Sequence, residues 1–462
     1  MSRWRWRKKR PFPLPHPSAL GHNTLMKRQI SLLALLFLLS LWISRLTAAA
    51  NGSEPQAYLP FLTKSEAPPE PMVEFRALWV TRFEWTADPT PAKIDEIVNN
   101  AAYAGFNVIL FQVRGEADAL YQSDLEPWSR YLTGTLGQDP GWDPLAYMID
   151  KAHAQDIQVH AYFNVYPVWL GCDPPPADTT PQHFYYQLIQ AHGTSGGQNN
   201  GLQWTTSYQT DCGSYQRATP ASIFGDDHYL AVAADLVTRY DIDGLHLDHI
   251  RYGGAANSCD PVSELAYGTN CFGDNGQMNY TDWQRAQVNG TVYKFFNEIV
   301  PMKENFWLSA AVWPIYINKP EWGWPSTTEG YYDYYQDSKA WVRDGYIHAI
   351  SPMIYPVQFN CPYDGFWTQA RWETLVMDFQ AGANGRYIFP GIGAGYCDFA
   401  EIEARINMAR AIGTGGQAIF SYSSLLSNGY FDDLAEGPYR ETAVVPPLPT
   451  MPATFESIQP HK

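Results

Sequence analysis

The sequence predicts an α/β fold, a (β/α)8 or TIM barrel with long, disulfide-braced loops on its C-terminal face. Eight apolar runs, each suited to burial on both faces, alternate with helix-like segments between residues 73 and 440. The segments that follow strands two to six are long, whereas those that precede the strands are short. Since no Gly-rich phosphate loop follows the first strand, an open doubly wound sheet fits less well.

The strands are recognised by short runs of apolar, β-branched and aromatic residues bounded by turn residues. In chain order they are predicted at 75–81, 107–113, 157–164, 243–250, 306–313, 347–355, 387–393 and 417–422.

Apolar positions at helical spacing lie between these strands and predict helices. They are placed at 91–104, 143–155, 226–240, 281–303, 337–344, 367–383 and 399–412. Pro91 and Pro144 stand at first helical positions, and Asp143 is suited to cap the second helix. The loop at 165–225 is exceptionally long and rich in Gly, Pro, Thr and Asn.

The first fifty residues have the order of a secretory signal peptide. Lys27 and Arg28 precede the apolar run 30–43, and three alanines follow at 48–50. Since this run is short for a membrane span, we expect a secreted or extracytoplasmic protein without a stable membrane anchor after cleavage. Met26 would give the signal ordinary proportions and is a candidate for the true start. An uncleaved anchor is the alternative.

The ends of the predicted barrel are Pro-rich. Residues 51–72 are interpreted as a linker, and residues 441–462 as a loose tail. The barrel domain is therefore predicted at 73–440.

The charge of the chain is unevenly distributed. The first fifty residues hold nine of the 31 basic residues and no acidic one, which leaves 22 basic against 47 acidic residues, or −25, for the rest. Such an acidic body argues against nucleic acid or an anionic membrane as partner. Aromatic residues make up 15% of the chain, which suits stacking against sugar rings and equally a large core.

Six cysteines in an exported chain predict disulfides, and six allow fifteen pairings. Local spacing favours three pairs: Cys172 with Cys212 across one long loop, Cys259 with Cys271 across another, and Cys361 with Cys397, which follow two late strands. None has CxxC spacing, so no metal site and no cofactor are predicted.

Asp248 is the strongest candidate for chemistry. On the fourth strand, alternation places Gly244, His246 and Asp248 on one face, and it directs Leu245, Leu247 and His249 toward the helices. A carboxylate at the end of an apolar strand is costly to bury unless it is paired or used.

Other polar and aromatic residues follow the strand ends and would meet at the same rim of a barrel. The candidates for substrate binding are Gln112, Arg114, Asn164, Tyr166, Trp169, His246, Arg251, Tyr252, Trp313 and Tyr355. Structural alternatives exist: an Arg114–Asp248 ion pair, a loop cap at Asn164, rim packing for the aromatic rings, and a hydrogen-bonded core position for His246.

Eight ordered motifs resemble those of the glycosyl hydrolase-like 10 family. They are FRALWV (75–80), FQVR (111–114), DALYQS (118–123), EPWS (126–129), DPGWDPL (139–145), VHAYFN (159–164), DGLHLDHIRY (243–252) and SPMIYP (351–356). The resemblance spans about 75–422 and implies a TIM barrel, glycosidase chemistry and a polysaccharide substrate. Family members include bacterial envelope and secreted proteins, one of which cleaves peptidoglycan glycan strands stripped of peptides.

This chain departs from the cell-wall-acting members beside the candidate carboxylate. They tend to carry a second acidic residue directly after the strand-four Asp, where His249 stands here. The long loop at 165–225 is the second departure. Both lie where substrate would bind, so the resemblance leaves the sugar open.

Glycosidases generally need two carboxyl groups, an acid and a base or nucleophile. Asp248 is predicted to be one, and by analogy its position resembles the strand-four nucleophile of α-amylase-type barrels. The second is sought among Asp118, Asp337, Glu84 and Glu116, since strand five carries no Glu. Two other classes stay open: a non-catalytic carbohydrate-binding barrel, and a metal-dependent barrel hydrolase that uses His246 with Asp248.

Overall fold

The computed structural model describes residues 71–450. The predicted signal peptide at 1–50, the linker apart from its last two residues, and the end of the tail lie outside this range. No helix of the described part is long and apolar enough to cross a membrane.

The eight predicted strands are all present. They are β1 (Phe75–Val80), β2 (Val108–Arg114), β3 (Gln158–Asn164), β4 (Gly244–Asp248), β5 (Trp307–Val312), β6 (Ala349–Pro352), β7 (Tyr387–Ile388 with Gly391–Gly393) and β8 (Gly416–Phe420). Each pairs in parallel with its neighbours in chain order, and β8 pairs with β1.

The barrel closes through β7, which Pro390 interrupts. Upstream of the proline, the Phe389 amide donates to the Ile350 carbonyl of β6 at 3.0 Å; downstream, the Ala418 amide of β8 donates to the Pro390 carbonyl at 3.1 Å. The two halves of β7 thus bond to opposite neighbours and complete the ring, as the sequence predicts.

A helix follows each strand and covers the outside of the barrel. The helices are α1 (Pro91–Tyr103), α2 (Pro144–His153), α3 (Ile223–Arg239), α4 (Tyr280–Lys294), α5 (Ser338–Arg343), α6 (Gln369–Gln380), α7 (Ala400–Ile412), α8 (Tyr422–Asn428) and α9 (Tyr430–Glu436). The Asp143 side chain caps α2 as predicted, because it accepts from the Leu145 and Ala146 amides.

The strands separate two apolar cores. Inside the barrel, Phe75, Trp79, Tyr162, Trp307 and Phe389 pack with small residues. A larger core lies between the outer face of the strands and the helices, and Leu245 and Leu247 belong to it. The alternation read from the sequence therefore assigns the two faces of β4 correctly as far as Asp248.

The Pro-rich segment after Arg440 is not loose where it is described. Ala443–Val444 pairs in parallel with Met72–Val73. Farther along, Val445 and Leu448 pack against the inner core, and the Tyr387 hydroxyl donates to the Pro447 carbonyl at 3.0 Å. The folded body thus extends beyond both predicted limits, and the expectation of a loose tail was wrong here.

All three predicted disulfides are present, joining Cys172 to Cys212, Cys259 to Cys271 and Cys361 to Cys397. The first ties down the long loop after β3. That loop has its own structure, a helix at Phe184–His192 and an antiparallel hairpin of Pro167–Leu170 with Tyr215–Arg217. The hairpin carries Arg217 toward the carboxyl end of β4.

Candidate active site

Asp248 lies at the carboxyl end of β4, inside the mouth of the barrel. Its Oδ2 accepts a hydrogen bond from the Tyr162 hydroxyl at 2.7 Å. Its Oδ1 accepts from the His249 backbone amide at 2.6 Å and from Arg251 Nη1 at 3.2 Å. Only 6% of the residue surface is exposed. Three hydrogen-bond donors are thus fixed around one nearly buried carboxyl group.

These contacts keep Asp248 ionised. Burial alone would raise its pKa. The Arg251 guanidinium and the hydrogen bonds from Tyr162 and the His249 amide outweigh burial and hold the pKa of Asp248 well below its usual range. A permanently charged carboxylate suits a nucleophile, a base or a group that stabilises a cationic transition state.

His246 supports this arrangement from one layer deeper in the barrel. Its Nδ1 lies 2.9 Å from Ser309 Oγ, and its Nε2 accepts from Trp79 Nε1 at 3.2 Å. The residue is fully buried, and burial lowers its pKa to about 4. Because both ring nitrogens have partners, His246 is a hydrogen-bonded core histidine, the alternative favoured over a metal ligand.

His249 does not face the helices, so that expectation was wrong. Its backbone φ is +49°, which ends the strand alternation and turns the ring toward the mouth. The ring contacts Tyr215 edge-on, with centroids 5.4 Å apart. Burial and the neighbouring guanidinium groups outweigh the attraction of Asp248 and lower the pKa of His249 to about 3.

Aromatic rings line the mouth beside Asp248. Tyr355 stacks on Phe420 with centroids 4.8 Å apart. Trp313, at the end of β5, lies 4.0 Å from the Tyr334 ring, and the Arg251 guanidinium sits 5.7 Å above it. These four rings are partly exposed. They offer apolar faces against which sugar rings could stack.

Two of the four candidates for the second catalytic carboxyl group, Asp337 and Glu84, cap helices. Asp337 caps α5, since it accepts from the Ala340 amide, and it also accepts from the Tyr316 hydroxyl at 2.6 Å. Glu84 forms a capping box with Thr81, and its other oxygen accepts from Ser421 and Ser423. We therefore interpret Asp337 as a helix cap and not as the second catalytic carboxyl group.

The other two, Glu116 and Asp118, form a fully buried pair in the loop after β2. Asp118 Oδ1 accepts from the Glu116 amide at 2.9 Å, whereas its Oδ2 is buried without a partner. Glu116 accepts from Arg130 at 3.0 Å and from the Leu170 amide at 2.7 Å. Burial, with the Asp118 charge adding to it, raises the pKa of Glu116 to about 7.

Six predicted substrate contacts are covered and act as braces. Arg114 pairs with Glu126 at 2.7 Å, so the suggested Arg114–Asp248 pair was wrong. The Tyr166 hydroxyl donates to Thr291 on α4 at 3.0 Å. Tyr252 packs edge-on against Tyr335.

The remaining braces tie the strand ends together. Gln112 accepts from the Arg82 amide at 2.8 Å. Asn164, the register partner of Asp248, donates to the Gly115 carbonyl at 2.9 Å, so it holds the loop after β2. Trp169 is 5% exposed and lies under Arg130, whose guanidinium is 4.1 Å from the ring centroid. Of the predicted contacts, only Arg251, Trp313 and Tyr355 lie at the open mouth.

Sequence reasoning missed three residues of the mouth. Tyr162 shares the inward face of β3 with Asn164, so the alternation that singled out Asp248 contains a signal for it. Gln336 joins the Trp313 amide at 2.7 Å to the Ile250 carbonyl at 3.2 Å and so fixes β5 to the loop that carries Arg251. For Arg217 no local signal exists, because the hairpin brings it in from a distant loop.

A closed (β/α)8 barrel with a charged carboxylate and aromatic rings at its carboxyl ends is the architecture of TIM-barrel glycoside hydrolases. The family model described as glycosyl hydrolase-like 10 matches residues 74–378, and the chain belongs to this family.

Individual relatives agree with this assignment. The chain is 25% identical to glycosyl hydrolase YngK of Bacillus subtilis (strain 168) over 401 residues, which cover 82% of this chain and 75% of that protein. It is 27% identical to glycosyl hydrolase DigH of Escherichia coli (strain K12) over 326 residues, 66% of this chain and 68% of that protein.

The fold likeness extends to a solved structure. The PgaB (BpsB) glycoside hydrolase domain from Bordetella bronchiseptica matches with a TM-score of 0.54 at 10% identity, over 78% of this chain and 98% of that domain. At this identity the likeness concerns the barrel alone.

Proposed function

We propose that this protein is a secreted glycoside hydrolase in which Asp248 is the charged catalytic carboxylate. The observation that carries the proposal is the ionised, nearly buried Asp248 at the centre of an aromatic barrel mouth. Neither a solvated surface carboxylate nor a structural ion pair would need rings of this kind around it. The partner is a polysaccharide, and peptide-free glycan strands of peptidoglycan are the first to test, in line with the family resemblance.

Secretion is supported by two features. The segment 1–50 has signal-peptide order, and three disulfides brace the described loops. Disulfides form and persist in oxidising compartments.

Glu116 is the carboxyl group whose environment best suits the acid. A general acid must hold its proton near the working pH, and paired groups with opposite pKa shifts are typical of acid and base roles. The loop after β2 and the end of β4 flank the end of β3, to which both are tied through Asn164. Because Glu116 is covered, donation to a sugar requires the Pro167–Leu170 hairpin to release it.

The experiment is to incubate the full mature protein with a panel of polysaccharides, including peptide-free glycan strands, and to measure new reducing ends. Release that survives a chelator supports the carboxylate mechanism. Inactivation by the chelator with rescue by zinc would instead support the metal-dependent alternative.

A carbohydrate-binding barrel without hydrolysis is the second candidate, and the complete burial of Glu116 and Asp118 is what favours it. Glycan binding with no reducing ends released from any member of the panel would decide for this candidate.

Replacement of Glu116 by Gln tests the acid directly. If Glu116 donates the proton, kcat of the wild type falls as pH rises through about 7, because the protonated form is lost. In Glu116→Gln we expect kcat to fall by about 10²–10⁴-fold. We also expect the decline of kcat at high pH to disappear. The measurement is the pH profile of reducing-end release from pH 5 to 9.

Asp118→Asn is the matched control, since it is an equally buried carboxyl group two residues away. It removes the charge that helps to raise the pKa of Glu116. The decline of kcat with rising pH should therefore begin at a lower pH, while the maximal kcat stays the same. An unchanged profile in Glu116→Gln would assign the acid to another residue.

A further inference from the structure

Three arginines meet at the mouth of the barrel. Arg82, Arg217 and Arg251 surround the Tyr215 and His249 rings beside Asp248. Arg82 Nη2 donates to the Tyr215 hydroxyl at 2.8 Å, and the Arg217 guanidinium lies 5.7 Å from the same ring. By contrast, the whole chain has a net charge of −16. Arg82 also faces the buried carboxyl groups of Asp118 and Glu116, so Arg217 and Arg251 are the arginines whose charge could meet a ligand.

The carboxylates near Arg217 and Arg251 match the charge of these two residues poorly. Arg217 reaches Asp211 only at 3.4 Å, and the same Asp211 oxygen accepts from Asn257 at 2.7 Å. Arg251 reaches Asp248 at 3.2 Å, and Asp248 is shared with Tyr162. Burial and the nearby Arg251 lower the pKa of Arg217 despite Asp211. Two guanidinium groups thus repel each other with incomplete compensation.

Some N–H donors of the Arg251 side chain have no hydrogen-bond partner among the described residues. Among the hydrogen bonds of residues 71–450, Arg251 makes one, from Nη1 to Asp248. The Arg217 side chain donates hydrogen bonds to Asp211, to the Tyr215 carbonyl and to Ser214. Both residues keep 8% of their surface exposed. A small anion at the mouth would meet free donors of Arg251 and the charge of Arg217.

We propose that Arg217 and Arg251, with the Tyr215 and His249 rings beside them, bind the carboxylate of an acidic sugar next to the sugar held at Asp248. Guanidinium groups are planar and match a carboxylate with two parallel hydrogen bonds. The position of the acidic sugar rests on the proposed function, but the binding itself does not require hydrolysis.

The net charge of the protein favours a short ligand with few charges. A long polyanion such as nucleic acid would be repelled by the acidic body along its whole length. One carboxylate on the bound sugar places negative charge at the arginines, and the neutral hydroxyl groups of that sugar lie elsewhere. Two sources share this chemistry: a uronic acid, whose carboxylate is on the ring, and a glycan-strand sugar that carries a lactyl ether.

The test is calorimetric binding of two pairs of oligosaccharides to the full mature protein at low salt. One pair is oligogalacturonate and its carboxyl-reduced counterpart, and the other is peptide-free glycan strands before and after carboxyl reduction. We expect the carboxylated member of at least one pair to bind about tenfold more tightly or better. The pair that shows the preference identifies the source of the carboxylate.

Arg217→Gln should abolish that preference, and Arg217→Lys should restore part of it, because Lys keeps the charge without the planar fork. Lys151→Gln is the control, because it removes one positive charge on α2 instead of at the mouth. This variant should keep the preference for the carboxylated oligosaccharide. Thermal unfolding reports whether each variant is folded. Equal affinities within both pairs, or a preference that persists in folded Arg217→Gln, would overturn the proposal.

The test can refute either proposal and leave the other standing. A carboxylate preference without any hydrolysis refutes the glycosidase and keeps the anion site. Hydrolysis with no carboxylate preference refutes the anion site and keeps the glycosidase.

Discussion

Asp248→Asn is expected to lower kcat for glycan hydrolysis by at least about 10³-fold. The amide is neither a nucleophile nor a base, and it cannot stabilise a cationic transition state by charge. It is nearly the same shape as the carboxylate, so its oxygen can still accept from Tyr162 or from the His249 amide. Glycan binding, which depends on the surrounding rings, should persist.

The same substitution should cost only moderate stability. It removes the charge that Arg251 bonds at 3.2 Å, a loss of about 2 kcal/mol in the free energy of unfolding. Reducing-end assays give kcat, calorimetry gives binding, and thermal denaturation checks folding. Full turnover in Asp248→Asn would show that the catalytic carboxylate is another residue.

Asp226→Asn provides a matched control. Asp226 is 7% exposed, accepts from the Thr291 hydroxyl at 2.8 Å and pairs with Lys294 at 2.7 Å, so it is a second buried and paired carboxyl group, located on α3. Burial raises the pKa of Asp226, in contrast to Asp248, so we expect a smaller loss of stability, with kcat unchanged. If Asp226→Asn also lost turnover, the effect at Asp248 would be attributable to folding.

The sequence was sufficient for the barrel and for Asp248 because both depend on local periodicity. Apolar runs marked the eight strands, and alternation along β4 placed His246 and Asp248 inside. That rule fails where the backbone leaves the strand conformation, as at His249 with its positive φ. Composition misled at the C-terminal tail, because pairing of Ala443–Val444 with Met72–Val73 depends on residues some 370 positions apart.

The partners of Asp248 were less accessible to sequence reasoning because they come from different elements. Tyr162 belongs to β3, Arg251 to the loop after β4, and Arg217 to a hairpin inside the 165–225 loop. Arg114 illustrates the same difficulty, since its partner Glu126 lies in the next loop rather than across the mouth. Which carboxylate an arginine meets is decided by how the loops pack, and loop packing has no period in the sequence.

Buried neutral histidines should make the fold sensitive to acid. His160, His183 and His246 are fully buried and His348 is 3% exposed. Burial lowers the pKa of His160 to about 3 and the pKa of each of the others to about 4. In addition, at three of these rings a ring nitrogen accepts an N–H and must be unprotonated to do so: His183 accepts from the Tyr185 amide, His246 from Trp79 and His348 from the Leu308 amide.

The direction of the pH effect follows from these lowered values. Above about pH 6.5 the rings are neutral in both folded and unfolded chains, so their contribution to stability is complete. Below it the unfolded chain binds protons that the folded chain refuses until about pH 4. Each histidine then lowers the free energy of unfolding by about 1.4 kcal/mol per pH unit, and the four together by about 5.5 kcal/mol per pH unit.

Urea denaturation between pH 8 and 4.5 measures this loss. In His348→Asn the amide oxygen can replace Nδ1 as acceptor for the Leu308 amide, while one titrating ring is removed. We expect the slope below pH 6.5 to become shallower by about 1.4 kcal/mol per pH unit, and the slope above pH 6.5 to stay as in the wild type. An unfolding free energy that did not fall between pH 6.5 and 5 would mean that the buried rings accept protons without cost, which their N–H donors at hydrogen-bond distance forbid.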